Sequence, residues 1–471
     1  MPVSHAALDR VFNPKTVVVF GDKKAGGYMW LNSQKQLKGK VYSVQIDPNE
    51  IPGIEAMGVQ NFKSLAEVPG PVDYGIIAVP RSVAPRILAD CITHKVGGVT
   101  MFTAGFAETH TADGMDMQNK VLAMAKQSGM VLIGPNCMGI YNPGAGLCFS
   151  PGQPVYDGGN IAFCSQSGSH GISFSLGAPE LGLRISKMVS FGNGIVLENA
   201  DFLEYMANDA QSQVIVMYVE GLKDGRRFFK LLRETAPKKP VIIWKGGQTE
   251  EGKRATSSHT ASLSESLAIW EAACKQTGAI LVRTLEEALD TAKALVKLPA
   301  FTGSGCGLMG GAGGQSVSIT DAFAHAGMRV PALSQSSYKR LGEFFSLVGA
   351  SFSNPIDLGT NRKELDTILD ILTDDPVIDI IVMQVPVYSF RAANSMVTSQ
   401  VEAMTKLKER SGKKPLVAVA LSPRPFSDAE ALKEIAGKFE AGGVPSFTSY
   451  DRAARALKNA VDYHRFRAEL G

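Results

Sequence analysis

The chain has 471 residues, 45% of them apolar and 20% charged, with a formal net charge of +3. That length suits about three domains, and the composition is that of a globular protein with a full hydrophobic core. Balanced charge, without a basic block interleaved with aromatics, excludes the usual nucleic-acid footprint. The cysteines (Cys91, Cys137, Cys148, Cys164, Cys274, Cys306) form no C-x-x-C pair. They read as reduced core thiols, and neither a disulfide framework nor a metal site is expected. The start, MPVSHAALDRVFNPK, has no apolar signal core, and no apolar run is long enough to span a bilayer. A cytoplasmic protein is expected.

In chain order, β-branched runs come first: TVVVF (16–20), VYSVQI (41–46), YGIIAVP (74–80), GGVTMF (97–102) and MVLIG (130–134). Between them, RSVAPRILADCITH and DGMDMQNKVLAMAKQ space their apolar residues at helical period. Strand–helix alternation of this kind predicts an α/β unit over 1–150, Rossmann-like, with a parallel sheet covered on both faces. The Gly- and Pro-rich stretch YNPGAGLCFSPGQPVYDGG (141–159) reads as a linker.

A second unit, 158–300, opens with strand IAFC, turn SQSGS and helix HGISFSLGAPELG. A third, 303–471, opens with strand CGLM, turn GGAGGQ and helix SVSITDAFAHAG. The two repeat each other in order. GLRIS (182–186) answers to GMRVP (327–331), SFGN (190–193) to SFSNP (351–355), and VIVMYV (214–219) to IIVMQV (380–385). The third unit carries an insertion before SFSNP. This pattern predicts a duplicated flavodoxin-like domain.

Three turns carry candidate chemistry. In VVVFGDKKAGG, Gly21 and Gly27 permit close approach to an anion at a helix start, and Lys23 and Lys24 add positive charge. A dinucleotide fingerprint needs G-x-G-x-x-G, of which only Gly21 is in place, so Asp47 is weak support for a nicotinamide enzyme. The turns SQSGS and GGAGGQ each follow a strand and open a helix, presenting unpaired N–H groups at a positive dipole end. Ser165, Ser167 and Ser169 add hydroxyls. His259 lies in the polar segment QTEEGKRATSSHTASLS, read as a loop, which suits phosphoryl relay through a neutral imidazole. Glu220, ending the strand VIVMYVE, is placed to accept from the other ring N–H. A merely exposed His259 and a solvated Glu220 stay open on these residues alone.

Taken together, SQSGS, YVEG and SSHTASLS followed by VRTLEEALD resemble the second domain of NDP-forming (ADP-forming) acyl-CoA synthetases. GPNCMGIYNP (134–143) and AVPR (78–81) resemble the CoA-binding domain shared with the α subunit of succinyl-CoA synthetase. GGAGGQSVSITDAFAHAG and SNPIDL (353–358) resemble the family's third domain. The resemblance implies that His259 is phosphorylated, with Glu220 as its carboxylate partner. It implies that Ser167, Gly168, Ser169, Gly313, Gly314 and Gln315 lie at two helix starts that grip the phosphate. It further implies that Gly21, Lys23, Lys24, Gly27, Val79, Pro80 and Asn136 line a CoA site. Two positions depart from the family: Ala261, where a Gly is usual, and Asp22, a carboxylate beside CoA phosphates that must turn away or pair with Lys23 or Lys24. His170 is expected to be structural. No P-loop or ATP-grasp-like region is left over, so Mg–ATP is expected to come through a separate ATP-grasp β subunit, in an α2β2 assembly by resemblance. Two alternatives stay open, a silent CoA-binding or regulatory subunit and an acyl- or carbamoyl-transfer subunit without phosphohistidine, with the nicotinamide oxidoreductase behind them.

Overall fold

The computed structural model describes residues 3–259, 266–310, 313–387, 394–411 and 414–470. The chain divides into two compact units, Met1–Ala288 and Leu289–Gly471. The first unit holds two sheets and the second holds one.

The first sheet is built from β1 (Thr16–Phe20), β2 (Lys40–Val44), β3 (Gln60–Phe62), β4 (Tyr74–Ile77), β5 (Gly98–Met101) and β6 (Val131–Ile133). Its order is β3-β2-β1-β4-β5-β6, all parallel, the Rossmann arrangement with its switch point between β1 and β4. Four of five β1 residues are buried, as a parallel sheet covered on both faces requires.

The second sheet comprises β7 (Gly139–Tyr141), β8 (Ile161–Ser165), β9 (Ile185–Ser190), β10 (Val214–Val219), β11 (Val241–Lys245) and β12 (Ile280–Val282). Its order, β12-β11-β10-β8-β9-β7, is flavodoxin-like, with β7 added antiparallel on the β9 edge. The chain that follows that edge strand corrects the reading of 141–159 as a linker, because it is packed into the core. Tyr141, Leu147, Cys148 and Phe149 are buried. Gln153 fastens the segment: its Oε1 accepts from Phe149 and Ser150 N–H at 2.9 and 3.0 Å, and its Nε2 donates to Ser175 Oγ at 2.9 Å. Gly and Pro mark tight turns here, and the buried aromatics between them make it part of the core.

The third sheet has β13 (Cys306–Met309), β14 (Ile380–Pro386), β15 (Leu416–Leu421) and β16 (Ser446–Phe447) in that order, all parallel. The position taken by β9 in the second sheet is reduced to two parallel bridges onto this edge, Gly305–Arg329 and Met309–Ile356. The insertion, with its helix Gln335–Gly342, falls between these two bridges and splits what would be one strand. In the same unit Arg452 clamps the buried Asp290 through two bonds of 2.6 and 2.9 Å, a bidentate geometry only Arg provides.

Beside β9, Lys187 Nζ lies 2.7 Å from Asp209 Oδ1, with side-chain exposures of 5% and 11%. Burial alone would push the Asp209 carboxyl up, but hydrogen bonds from Lys187 and Ser212 outweigh it and hold the group below its usual range. A carboxyl depressed in the native state stabilises fully above its unfolded value, about pH 4. The benefit is lost as pH falls through the lowered native value. Lys187→Met should therefore cost about 3 kcal/mol at pH 7, the low end for a broken buried pair because Asp209 keeps Ser212. Urea titrations at pH 7 and pH 3 check this: the deficit should shrink in acid, and a deficit independent of pH would refute the ion pair as its source.

Candidate functional site

The C-terminal edges of the first two sheets meet in the first unit, and the loops there enclose a cleft of about 190 Å³. Phe102, Asn136, Cys137 and Met138 line it from the first sheet's side, and Gln166, Ser167, Gly168, Ser169 and Gly192 from the second's. Two predicted groups of residues, Asn136 and the turn 167–169, are thus brought to one place.

The turn leads from β8 into the helix Gly168–Glu180, with Ser167 as its cap. Ser167 Oγ accepts from His170 N–H at 3.4 Å, and Ser167 O accepts from Gly171 N–H at 3.1 Å. The N–H groups of Gly168 and Ser169 are left as free donors at the positive end of the dipole. Ser165 does not join them. Its buried hydroxyl donates to Ser167 O at 2.7 Å and accepts from Ser167 N–H at 3.1 Å, so it shapes the turn and offers nothing to a ligand.

Glu220 follows β10 and is 5% exposed, and its Oε2 is buried without a hydrogen-bond partner among the described residues. Such a carboxylate oxygen is costly unless another group completes it. Tyr218 and Gly246 wall the side chain: a Cβ on Gly246 would sit 2.6 Å from Tyr218 Oη and 3.4 Å from Glu220 Cγ. Burial, and then the Glu220 carboxylate, push the Tyr218 phenol up. The backbone at Glu220 is held by Gln166, whose Oε1 accepts from the N–H of Glu220 at 2.6 Å and of Gly221 at 3.1 Å. Gln166 went unnoticed in the sequence, because a Gln inside S-x-S-G carries no signal until its partners are known.

The segment before His259 departs from expectation. It is a helix, Glu250–His259, where a polar loop was read. The missed signal is a cap: Thr249 Oγ1 accepts from Gly252 N–H at 3.1 Å, Glu250 and Glu251 occupy the first turn, and Lys253 pairs with Glu250 at 2.6 Å. The His259 backbone ends this helix, while its side chain and residues 260–265, Ala261 included, lie outside the described residues.

At the first sheet's switch point, Gly21 has φ +81° and faces Val79 so closely that a Cβ would sit 2.4 Å from Val79 Cγ1. Lys23, Lys24, Gly27 and Pro80 are exposed around it, with Gly27 in the left-handed region. Asp22 turns away from this surface, as expected, but pairs with neither lysine ammonium. Its buried carboxylate accepts from the N–H of Leu31 at 2.8 Å and of Lys23 at 3.0 Å, and burial pushes it up. In the second unit Gly313, with φ +56°, caps the helix Gly314–His325, whose Gln315 Oε1 accepts from Gln384 Nε2 at 3.2 Å. No group of three or more His, Cys, Asp or Glu among the described residues could hold a metal ion. No described helix is long and apolar enough to cross a membrane.

A Rossmann sheet and a flavodoxin-like sheet sharing one cleft define an α/β protein of two joined folds. Comparison with known proteins narrows this class. Residues 15–143 match the family described as CoA binding domain, and residues 158–295 the Succinyl-CoA ligase like flavodoxin domain. Over 456 residues the chain is 34% identical to the acetate–CoA ligase (ADP-forming) II subunit alpha of Pyrococcus furiosus, covering 95% of this chain and 96% of that one. It is 29% identical to acetate–CoA ligase (ADP-forming) I of Archaeoglobus fulgidus, covering 98% of this chain but 64% of that one. It is also similar to the solved Candidatus Korarchaeum cryptofilum dinucleotide forming acetyl-coenzyme A synthetase 1 in complex with phosphate and ADP. There the TM-score is 0.83 at 27% identity, covering 98% of this chain and 97% of that one. The chain belongs to the ADP-forming acyl-CoA ligase family, as a relative of its α subunits.

His170 stands against Tyr218 and Trp244, ring centroids 4.5 and 4.4 Å away. Burial holds its imidazole below the ordinary value, which fits a neutral packing residue. In an NMR titration His170 should titrate below about 6.5, and Trp244→Ala, by admitting water, should raise the midpoint. A native midpoint at or above the ordinary value would contradict this environment.

Proposed function

We propose that the chain is the CoA-binding, phosphohistidine-bearing subunit of an ADP-forming acyl-CoA synthetase. The observation that carries the reading is the uncompleted Glu220 carboxylate, tied through Gln166 to a turn whose helix start opens onto the cleft. A phosphorylated imidazole supplies what this arrangement lacks: a ring N–H for Glu220 and a phosphate for the free N–H groups of Gly168 and Ser169. His259 is the residue so modified, and Gly313, Gly314 and Gln315 offer a helix start of the same kind in the other unit. CoA lies along Gly21, Lys23, Lys24, Gly27, Val79, Pro80 and Asn136.

The cycle runs in three transfers. ATP held by a partner phosphorylates His259, the phosphoryl group passes to a carboxylic acid, and the CoA thiol displaces phosphate from the acyl phosphate. The partner is a separate ATP-grasp β subunit holding Mg–ATP, in an α2β2 assembly. Coverage supports the division: the chain spans nearly all of a relative named subunit alpha but 64% of one named without a subunit. The six free, buried cysteines suit a reducing cytoplasm.

Two measurements test this reading. With labelled ATP and the partner, the chain should gain an acid-labile, base-stable label that His259→Ala abolishes, whereas Glu220→Gln slows labelling about 10–100-fold, the scale of lost orienting partners, without changing CoA affinity. Undiminished labelling of His259→Ala would assign the phosphate elsewhere. By calorimetry CoA, and not NAD, should bind; Lys23→Glu or Lys24→Glu should weaken it most at low salt, since exposed charges are screened over about 8–10 Å. Tight NAD binding without CoA binding would restore the oxidoreductase alternative.

A further inference from the structure

Gln166 is more than a brace for the Glu220 backbone. Its Oε1 is committed to two N–H donors, of Glu220 at 2.6 Å and Gly221 at 3.1 Å. An amide whose oxygen is fixed in this way has its nitrogen fixed as well, since both sit on one carbon in one plane. Gln166 lines the cleft, and its Nε2 has no partner among the described residues. Beside it lie the free N–H groups of Gly168 and Ser169, which suit the dianionic phosphate end of an acyl phosphate. The carbonyl oxygen of that acyl phosphate is uncharged in the ground state and needs a neutral, oriented donor only as it gains charge.

We propose that Gln166 is a catalytic residue of thioester formation, its Nε2 donating to the acyl carbonyl oxygen as that oxygen becomes an oxyanion. The inference rests on the function proposed above. In the step, the CoA sulfur adds to the carbonyl carbon, forming the S–C bond while the C=O π pair moves onto oxygen. As the pair returns, the C–O bond to phosphorus breaks and inorganic phosphate leaves with its electrons, taking up the thiol's proton. A donor held in place by the 220–221 backbone stabilises the charge without reorganising, and removing one such donor typically costs about 10²–10³ in rate.

The test separates the brace from the donor. Gln166→Glu keeps an acceptor for both N–H groups and deletes the Nε2 donor. The assembled enzyme is given acetyl phosphate and CoA without nucleotide, and thioester is followed; labelling of His259 from ATP is measured in parallel. Gln166→Glu should slow thioester formation about 10²–10³-fold and labelling only a few-fold. The deficit relative to wild type should shrink as pH falls, because the carboxyl introduced in that variant regains an O–H donor once protonated. Equal thioester rates in variant and wild type, an equal loss of labelling and thioester formation, or a pH-independent ratio would each overturn the role. Wild-type enzyme that neither labels His259 nor forms thioester removes the underlying reading and this role with it; a competent wild type matched by Gln166→Glu removes the glutamine's role alone.

Discussion

The site depends on one close approach between backbones. Gly192, with φ +53°, lies so near the loop leaving β6 that a Cβ would sit 2.1 Å from Asn136 O and 2.5 Å from Pro135 O. Around it, Asn193 N–H donates to Pro135 O at 3.0 Å and Ile195 N–H to Gly134 O at 3.1 Å. The loop from the first sheet is thus bonded like a neighbouring strand to the loop after β9. Together with the pairing of β7 on β9, this contact keeps Asn136 and Ser167 on one surface. Only glycine allows the approach, since any side chain would both clash and strain at positive φ.

Around that contact, the local chemistry favours anions by geometry and dipole, with little fixed charge. The cleft is lined by amide, hydroxyl, thioether and aromatic groups, with Lys23 and Lys24 on the exposed turn after β1. A phosphate gripped by backbone N–H groups is held firmly enough to be positioned, yet each helix terminus contributes only about 0.3–2 kcal/mol. Under the function proposed above, a site that passes a phosphoryl group onward benefits from that moderation, because a lysine-rich grip would hold the phosphate where it first lands.

Legibility followed chemistry that is local in sequence. The parallel strands could be read because each is a short β-branched run buried throughout, and the duplication because two copies keep their order. The turns around Gly21, Ser167 and Gly313 were legible because strand-glycine-helix is a contiguous pattern. What escaped was set by distant partners or by competing local signals. The 141–159 segment looks like a linker by its Gly and Pro content, and only the burial of Tyr141 at the end of β7, and of Leu147 and Phe149 after it, shows it to be part of the core. The helix before His259 was hidden by Ser and Thr near its end, although Thr249, Glu250 and Glu251 spell its start. Gln166 was invisible because its meaning comes from residues 54 and 55 positions away.

The duplication makes that glutamine easier to understand. Both flavodoxin-like sheets place a glutamine beside the glycine turn after their first strand, and both connect it to the end of the central strand. In one, Gln166 reaches the N–H groups following β10; in the other, Gln315 accepts from Gln384 on β14. In each, a glutamine side chain near the start of the helix bonds across to the neighbouring strand or to the residues that follow it. The copies then diverge according to what the central strand offers. After β10 the tie is to backbone, and Glu220 Oε2 has no partner among the described residues. At β14 the tie is side chain to side chain, and the oxygen without a partner among the described residues is a neutral amide oxygen, Gln384 Oε1. A carboxylate can orient and stabilise a charged imidazole ring, whereas an amide oxygen supplies only the weaker acceptor. Under the function proposed above, support for the histidine falls to the copy that carries Glu220, and its duplicate keeps the glycine-rich helix start alone.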